Sequence, residues 1–161
     1  MSEETRQDRA VRLFQEAYQH QRNKEFDKAV ELYKKSIEAY PMAEAYTFLG
    51  WTYSFMGRID EAIAECHKAI ECDPDFGNPY NDIGSYLLMK DEIDAAIPWL
   101  ERALLAPRYE SYCYPHMNLG RVYEAKRDWI RARKHYQEAV RQDRNYTPAA
   151  QALHRINGYF S

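Results

Sequence analysis

Gly50, Gly84 and Gly120 each follow a leucine or isoleucine in an apolar stretch, and an alanine stands twelve residues after each, at Ala62, Ala96 and Ala132. The same pairing occurs upstream as Ala17 and Ala29, so the small residues recur at 17, 50, 84 and 120, in steps of 33, 34 and 36. Recurrence at this length marks helical hairpins that cannot bury their apolar faces alone and must stack on their neighbours. The spacing therefore predicts an all-α solenoid, a superhelix of four hairpins, with an extended surface suited to binding. Its 161 residues suffice for one such unit, the core being a seam between hairpins.

Charge and cysteine usage narrow the classes. Against 25 acidic residues stand 22 Lys and Arg, a net charge of -3 that gives no overall attraction for nucleic acid or an anionic membrane. Cys66, Cys72 and Cys113 are odd in number and form no C-x-x-C pair, which points to a reducing, cytoplasmic setting. The charged opening Met1 to Arg9 lacks a secretory pattern, and no run reaches the ~18 apolar residues of a membrane span, so no membrane insertion is expected.

Helix signals place the first hairpin at Arg6–Arg22 and Phe26–Tyr40, stopped by Pro41, and the second at Ala43–Met56 and Ile59–Cys72, closed by Asp73-Pro74. In the third, Asn78-Pro79 reads as an N-cap with proline in the first turn, its helices ending near Lys90 and spanning Ile93–Ala106; Pro98 should kink the latter while facing solvent. The stretch Arg108 to Cys113 adds two residues before the fourth hairpin, Pro115–Lys126 and Trp129–Asp143. Thr147-Pro148 reads as another cap, opening a final helix with Ala149, Leu153 and Ile156 on one face. The expectation is a single domain over 1–161, with repeats near 10–42, 43–76, 77–112 and 113–146 and a capping helix near 147–157.

Two copies carry a further rhythm: Tyr46-Thr47-Phe48-Leu49-Gly50-Trp51-Thr52-Tyr53 with Ala62, Ala69 and Pro74, and His116-Met117-Asn118-Leu119-Gly120-Arg121-Val122-Tyr123 with Ala132, Tyr136 and Ala139. These resemble tetratricopeptide repeats. The third copy has Leu87 where the family has tyrosine, and the first offers Leu13, Ala17 and His20. The resemblance covers about residues 10 to 145 and implies helical hairpins whose first helices line a concave groove. A narrower likeness, in the 36-residue third repeat with Ala106-Pro107-Arg108-Tyr109, is to pilus-biogenesis tetratricopeptide lipoproteins, whose lipidation signal is absent from this sequence.

On those first helices a stripe at spacings of three and four forms the candidate groove: Phe14, Tyr18 and Gln21; Thr47, Trp51, Ser54 and Phe55; Asn78, Asn81, Ser85 and Leu88; Tyr114, Met117, Asn118 and Arg121. The aromatic members would anchor apolar side chains of a peptide or helix, or else Trp51 and Phe55 pack on a neighbouring segment; the amides would bond its backbone. Asn81 and Arg121 have least reason to be buried. Chaperone-tail-binding members of the family hold a terminal carboxylate with lysine and asparagine, then asparagine, then lysine and arginine, at positions that here hold Phe14, Tyr18, Phe48, Asn78 and Asp82, or, one repeat along, Thr47, Trp51, Asp82, Tyr114 and Asn118. Neither frame supplies the charge a carboxylate needs.

Catalytic signals are thin. Cys66 reads as packed and His67 as solvent-facing; Cys113 with His116 lacks an orienting third group; Glu61 and Glu65 read as a solvated pair. No catalytic, metal-binding or cofactor-binding residues are assigned, and no glycine-rich phosphate loop is present. The basic residues between Lys126 and Arg155 interleave with Glu124, Asp128, Glu138 and Asp143, as an ion-paired face does. Tyr159-Phe160 either folds back on the cap helix or mediates self-association. The sequence thus reads as a non-catalytic adaptor for a segment of another protein; the alternative is a self-associating assembly subunit, including a pilus-biogenesis-like factor.

Overall fold

A computed structural model describes residues 2–161. Its helices among these residues are α1 (Arg6–Arg22), α2 (Phe26–Ala39), α3 (Ala43–Phe55), α4 (Ile59–Cys72), α5 (Asn78–Met89), α6 (Ile93–Leu105), α7 (Cys113–Ala125), α8 (Trp129–Gln142) and α9 (Thr147–Asn157), with a 3-10 turn at Gly158–Phe160. Consecutive helices pair into four hairpins, each hairpin packs on the next, and α9 lies on α8. The architecture is an all-α superhelix. Thr5 opens it with a capping box: Thr5 Oγ1 accepts from the Asp8 N–H at 3.0 Å and Asp8 Oδ2 from the Thr5 N–H at 3.1 Å.

Three local expectations need correction. Asn78 and Thr147 are the first residues of α5 and α9 and make no side-chain cap bond, since Gly77 and Tyr146 take the cap positions; the Asn78 amide is thereby free of the helix end. Helix α7 begins at Cys113, two residues before Pro115, because proline is tolerated in a first turn whose N–H groups need no helical partner. Pro98, by contrast, lies inside α6 and faces solvent as expected.

The small residues mark where two helices of a hairpin touch. Ala17, Ala29, Ala62, Ala96 and Ala132 are fully buried. A Cβ built on Gly50 would meet the Ala62 carbonyl oxygen at 2.9 Å; on Gly84 it would meet Leu100 at 2.4 Å, and on Gly120 the Tyr136 ring at 2.3 Å. Tyr33 and Tyr136, also fully buried, donate their hydroxyls to Gln21 Oε1 at 2.6 Å and Glu124 Oε2 at 2.5 Å, which fixes the rings at the two ends of the array.

Each hairpin turns through one left-handed residue: Lys24 (φ 62°), Gly57 (77°), Asp91 (61°) and Arg127 (60°). These positions repeat the steps of 33, 34 and 36. The N–H of the next residue reaches back to a carbonyl of the preceding helix, as from Glu25 to His20 and from Glu92 to Leu87, both at 2.9 Å. A side chain in this region costs about 1–2 kcal/mol, partly offset by the extra freedom glycine brings to the unfolded chain. Asp91→Gly is therefore expected to stabilise the fold by about 0.5–1 kcal/mol, read as a higher midpoint in thermal unfolding.

The stretched connection after α6 is docked. Arg108 N–H donates to the Asp75 carbonyl at 3.0 Å, and its own carbonyl accepts from Gly77 N–H at 3.1 Å. The Arg108 guanidinium lies over the Phe76 ring and pairs with Asp73 at 2.6 Å and Glu44 at 2.9 Å. A Cβ on Gly77 would meet the Tyr109 side chain at 2.5 Å, so glycine there lets buried Tyr109 pack against the start of α5.

Candidate functional site

Helices α1, α3, α5 and α7 adjoin in order and form one surface of the superhelix. A cavity of about 440 Å³ on it is lined by Thr47, Phe48 and Trp51 of α3, Asn78, Asn81 and Asp82 of α5, Tyr109 and Ser111 of the docked connection, and Tyr114 of α7. Five members of the sequence stripe, Thr47, Trp51, Asn78, Asn81 and Tyr114, thus converge on one space. Phe48, Asp82, Tyr109 and Ser111 were not among the groove candidates. Asp82 had a readable signal, standing four residues after Asn78 on the same helical face; Tyr109 had none, because only the Arg108 pairing carries it there.

Polar groups cross the base of the surface. Arg121 Nη1 donates to Asn118 Oδ1 at 3.1 Å, and Asn118 Nδ2 donates to Asn81 Oδ1 at 3.0 Å. Arg121 is exposed as expected, whereas Asn81 and Asn118 are buried, because a bonded amide pair between α5 and α7 satisfies both. Thr47 is buried with its hydroxyl donating to the Ala43 carbonyl at 2.8 Å. Beside Asn81, burial pushes the Asp82 carboxyl up to about 7, against a smaller lowering by the Asn81 amide.

The aromatic part of the stripe both packs and stays open. Phe14 is half-buried, edge-on to Phe48 at 5.1 Å and tilted against Tyr33; Tyr18 also meets Phe48 edge-on, at 5.7 Å. Trp51 rests on Phe48 and Phe55, and Phe55 stacks on Phe26 of α2 at 5.7 Å, yet Trp51 stays 40% and Phe55 54% exposed. Tyr18, Trp51 and Phe55 share a second recess of about 250 Å³. Ser85 lies half-buried on α5, while Gln21 and Met117 are buried, Met117 in the cluster under α9.

Elsewhere the chemistry is muted. Burial pushes the Cys66 and Cys113 thiols up, the reverse of what activates a nucleophile. His67 is exposed, edge-on to Trp99 at 5.2 Å. His116 meets His135 of α8, Nδ1 to Nδ1 at 3.2 Å, and burial lowers both, His135 to about 4. Glu65, expected on a solvated face, is buried at the α3–α4 seam and pairs with Lys68 at 2.9 Å, since its side chain passes beside the space that Gly50 leaves. The basic C-terminal third is ion-paired at Lys126–Asp94, Arg131–Asp128, Arg141–Glu138 and Arg155–Glu124. Tyr159 stacks on Trp129 at 4.6 Å and Phe160 lies beneath Arg133, so the tail folds back on α8 rather than on the cap helix. No group of three or more histidine, cysteine or carboxylate residues suited to a metal occurs among the described residues. No helix there is long and apolar enough to cross a membrane.

Comparison with known proteins supplies the family. Tetratricopeptide-repeat models match residues 43–76 and 113–146. A rice (Oryza sativa subsp. japonica) "Protein SGT1 homolog" is 36% identical over 78 residues, 48% of this chain and 21% of that protein, so the chain spans about a fifth of this curated relative. Among solved structures, Pseudomonas aeruginosa pilF superposes with a TM-score of 0.87 at 20% identity, covering 94% of this chain and 68% of that one. PilW, described as a widely conserved type IV pilus biogenesis factor, gives 0.84 at 17%, covering 93% and 69%. The first repeat domain of Spaghetti (RPAP3), bound to an HSP90 peptide, gives 0.66 at 22%, covering 73% and 92%. With four hairpins in phase and two copies matched directly, the chain belongs to the tetratricopeptide-repeat family.

Proposed function

We propose that this protein is a non-catalytic adaptor that binds a peptide or helical segment of another protein on the surface formed by α1, α3, α5 and α7, in a reducing, cytoplasmic setting. The observation that carries the reading is the cavity between α3, α5 and α7, where exposed Trp51 and the Phe48, Tyr109 and Tyr114 rings stand around Asn78 and Asn81. Aromatic walls with a few placed polar groups suit an anchor side chain and its backbone. Phe14, Tyr18 and Phe55 would extend the contact toward α1, and Ser85, Asn118 and Arg121 toward α7. That a fold neighbour holds a peptide is consistent with this use of the fold. Three unpaired thiols, two of them buried, agree with a reducing setting. Trp51→Ala is expected to weaken partner capture by at least about tenfold while far-UV circular dichroism stays helical; undiminished capture would remove Trp51 from the site.

The second reading is an assembly subunit, favoured by the close superposition with the pilus biogenesis factor and by the exposure of Ile130 on α8, at 69%, and of Tyr159 in the tail, at 59%. Sedimentation velocity separates the two: a chain that stays monomeric at high concentration speaks against self-assembly.

A further inference from the structure

We propose that the cavity between α3, α5 and α7 is a cation pocket that receives a lysine or arginine side chain of the bound segment, with the Asp82 carboxylate as its counter-ion. This rests on the groove reading above and names the chemistry of the partner.

Asp82 stands on the cavity wall, and burial and the Asn81 amide are the influences acting on it; no cation of the chain contributes. Arg121 on α7 is engaged by Asn118. Asp82 is half-buried on that wall; a carboxylate partly withdrawn from water without a counter-charge is costly, and an incoming cation relieves that cost. The remaining walls suit the same guest: Phe48, Trp51, Tyr109 and Tyr114 are aromatic, and ring faces attract ammonium and guanidinium groups, most strongly when partly desolvated. Asn78, uncommitted to helix capping, adds a carbonyl oxygen that accepts from the guest. A carboxylate guest would meet Asp82 as a like charge in a poorly hydrated space.

The facing titratable groups do not compete near neutrality. Cys66 of α4, Tyr86 of α5 and Tyr109 of the connection sense the Asp82 charge, and burial holds all three in their protonated forms. Helix α3 brings only Thr47, Phe48 and Trp51 to the cavity.

The test uses the whole chain and four probes: the N-acetyl, N-methylamide derivatives of arginine, lysine, citrulline and glutamate, titrated by 1H–15N NMR on the Trp51 indole and the Asn78 and Asn81 amide signals. Arginine and lysine probes are expected to give saturable shifts, citrulline at least about tenfold weaker ones and glutamate none. Asp82→Asn should bring arginine to the level of citrulline, and wild-type affinity for arginine should rise roughly tenfold from pH 6 to pH 8 as the carboxyl ionises. Citrulline binding as tightly as arginine, a flat pH profile, or no shift with any probe would overturn the proposal. Should the variant fail to fold, the arginine–citrulline comparison on the wild type decides alone. The groove reading is judged separately: partner capture that depends on Trp51 but is indifferent to Asp82 retains the groove and removes the cation pocket.

Discussion

Gly120→Ala is expected to destabilise the protein by about 3 kcal/mol and to lower its melting temperature by roughly 6–12 °C. The added methyl would sit 2.3 Å from the Tyr136 ring, nearer than carbon atoms approach. Tyr136 cannot yield: it is fully buried, and its hydroxyl is tied to Glu124, which Arg155 of α9 holds in turn at 2.7 Å. Either the ring shifts and breaks that network or α7 and α8 separate, and both uncouple the cap from the last hairpin. Gly158→Ala is the control, because a Cβ there meets nothing within 4 Å; it should leave stability within about 0.5 kcal/mol of the wild type. Equal effects from the two variants would show that the hairpin seam is slack.

Asp82→Asn is expected to act in the opposite direction, stabilising the fold by about 3 kcal/mol at pH 8 and by little at pH 4. The sign follows from the direction of the shift. The folded carboxyl is raised from its ordinary 3.8 to about 7, so the folded state holds the proton more tightly than the unfolded chain. That contribution is fully present below about pH 4 and is lost as pH rises through 7, above which the wild type carries an ionised carboxylate in a half-buried site with no counter-charge. Asparagine is nearly the same shape and never ionises. Denaturant unfolding of both proteins between pH 4 and 8 reads the difference, which should widen steadily and level off above pH 7. A constant difference across that range would place Asp82 in solvent. A residue that weakens the fold where a neutral isostere would not is the trade expected of a binding position.

Local periodicity accounts for most of what could be read in advance. The recurrence of Ala17, Gly50, Gly84 and Gly120 located the hairpins because close helix approach tolerates only small residues there, and Pro41 and Pro74 marked helix ends because a ring without an N–H cannot continue them. The tightest partner of Gly84 and Gly120 nevertheless lies sixteen residues on, at Leu100 and Tyr136, one helical turn beyond the matching alanine; spacing identifies the seam but not the depth of side chains across it. Of the cavity lining, Trp51, Asn78 and Tyr114 were legible because they recur on first-helix faces. Tyr109 was not, because its position depends on Arg108 reaching Glu44, 64 residues away in the chain. Asn81 looked exposed because its partner, Asn118, lies 37 residues further on and only the stacking of α5 on α7 joins them.

The central claim is that the surface of α1, α3, α5 and α7 is where a partner binds. Site-specific photocrosslinking measures this directly, with a benzophenone side chain placed at Ser85 on that surface and, as the comparison, at exposed Glu101 on α6. A crosslinked partner from Ser85 that is absent from Glu101 and lost in the Trp51→Ala background is the predicted result. Crosslinks from Glu101 with none from Ser85 would place the partner on the other side of the superhelix and contradict the account.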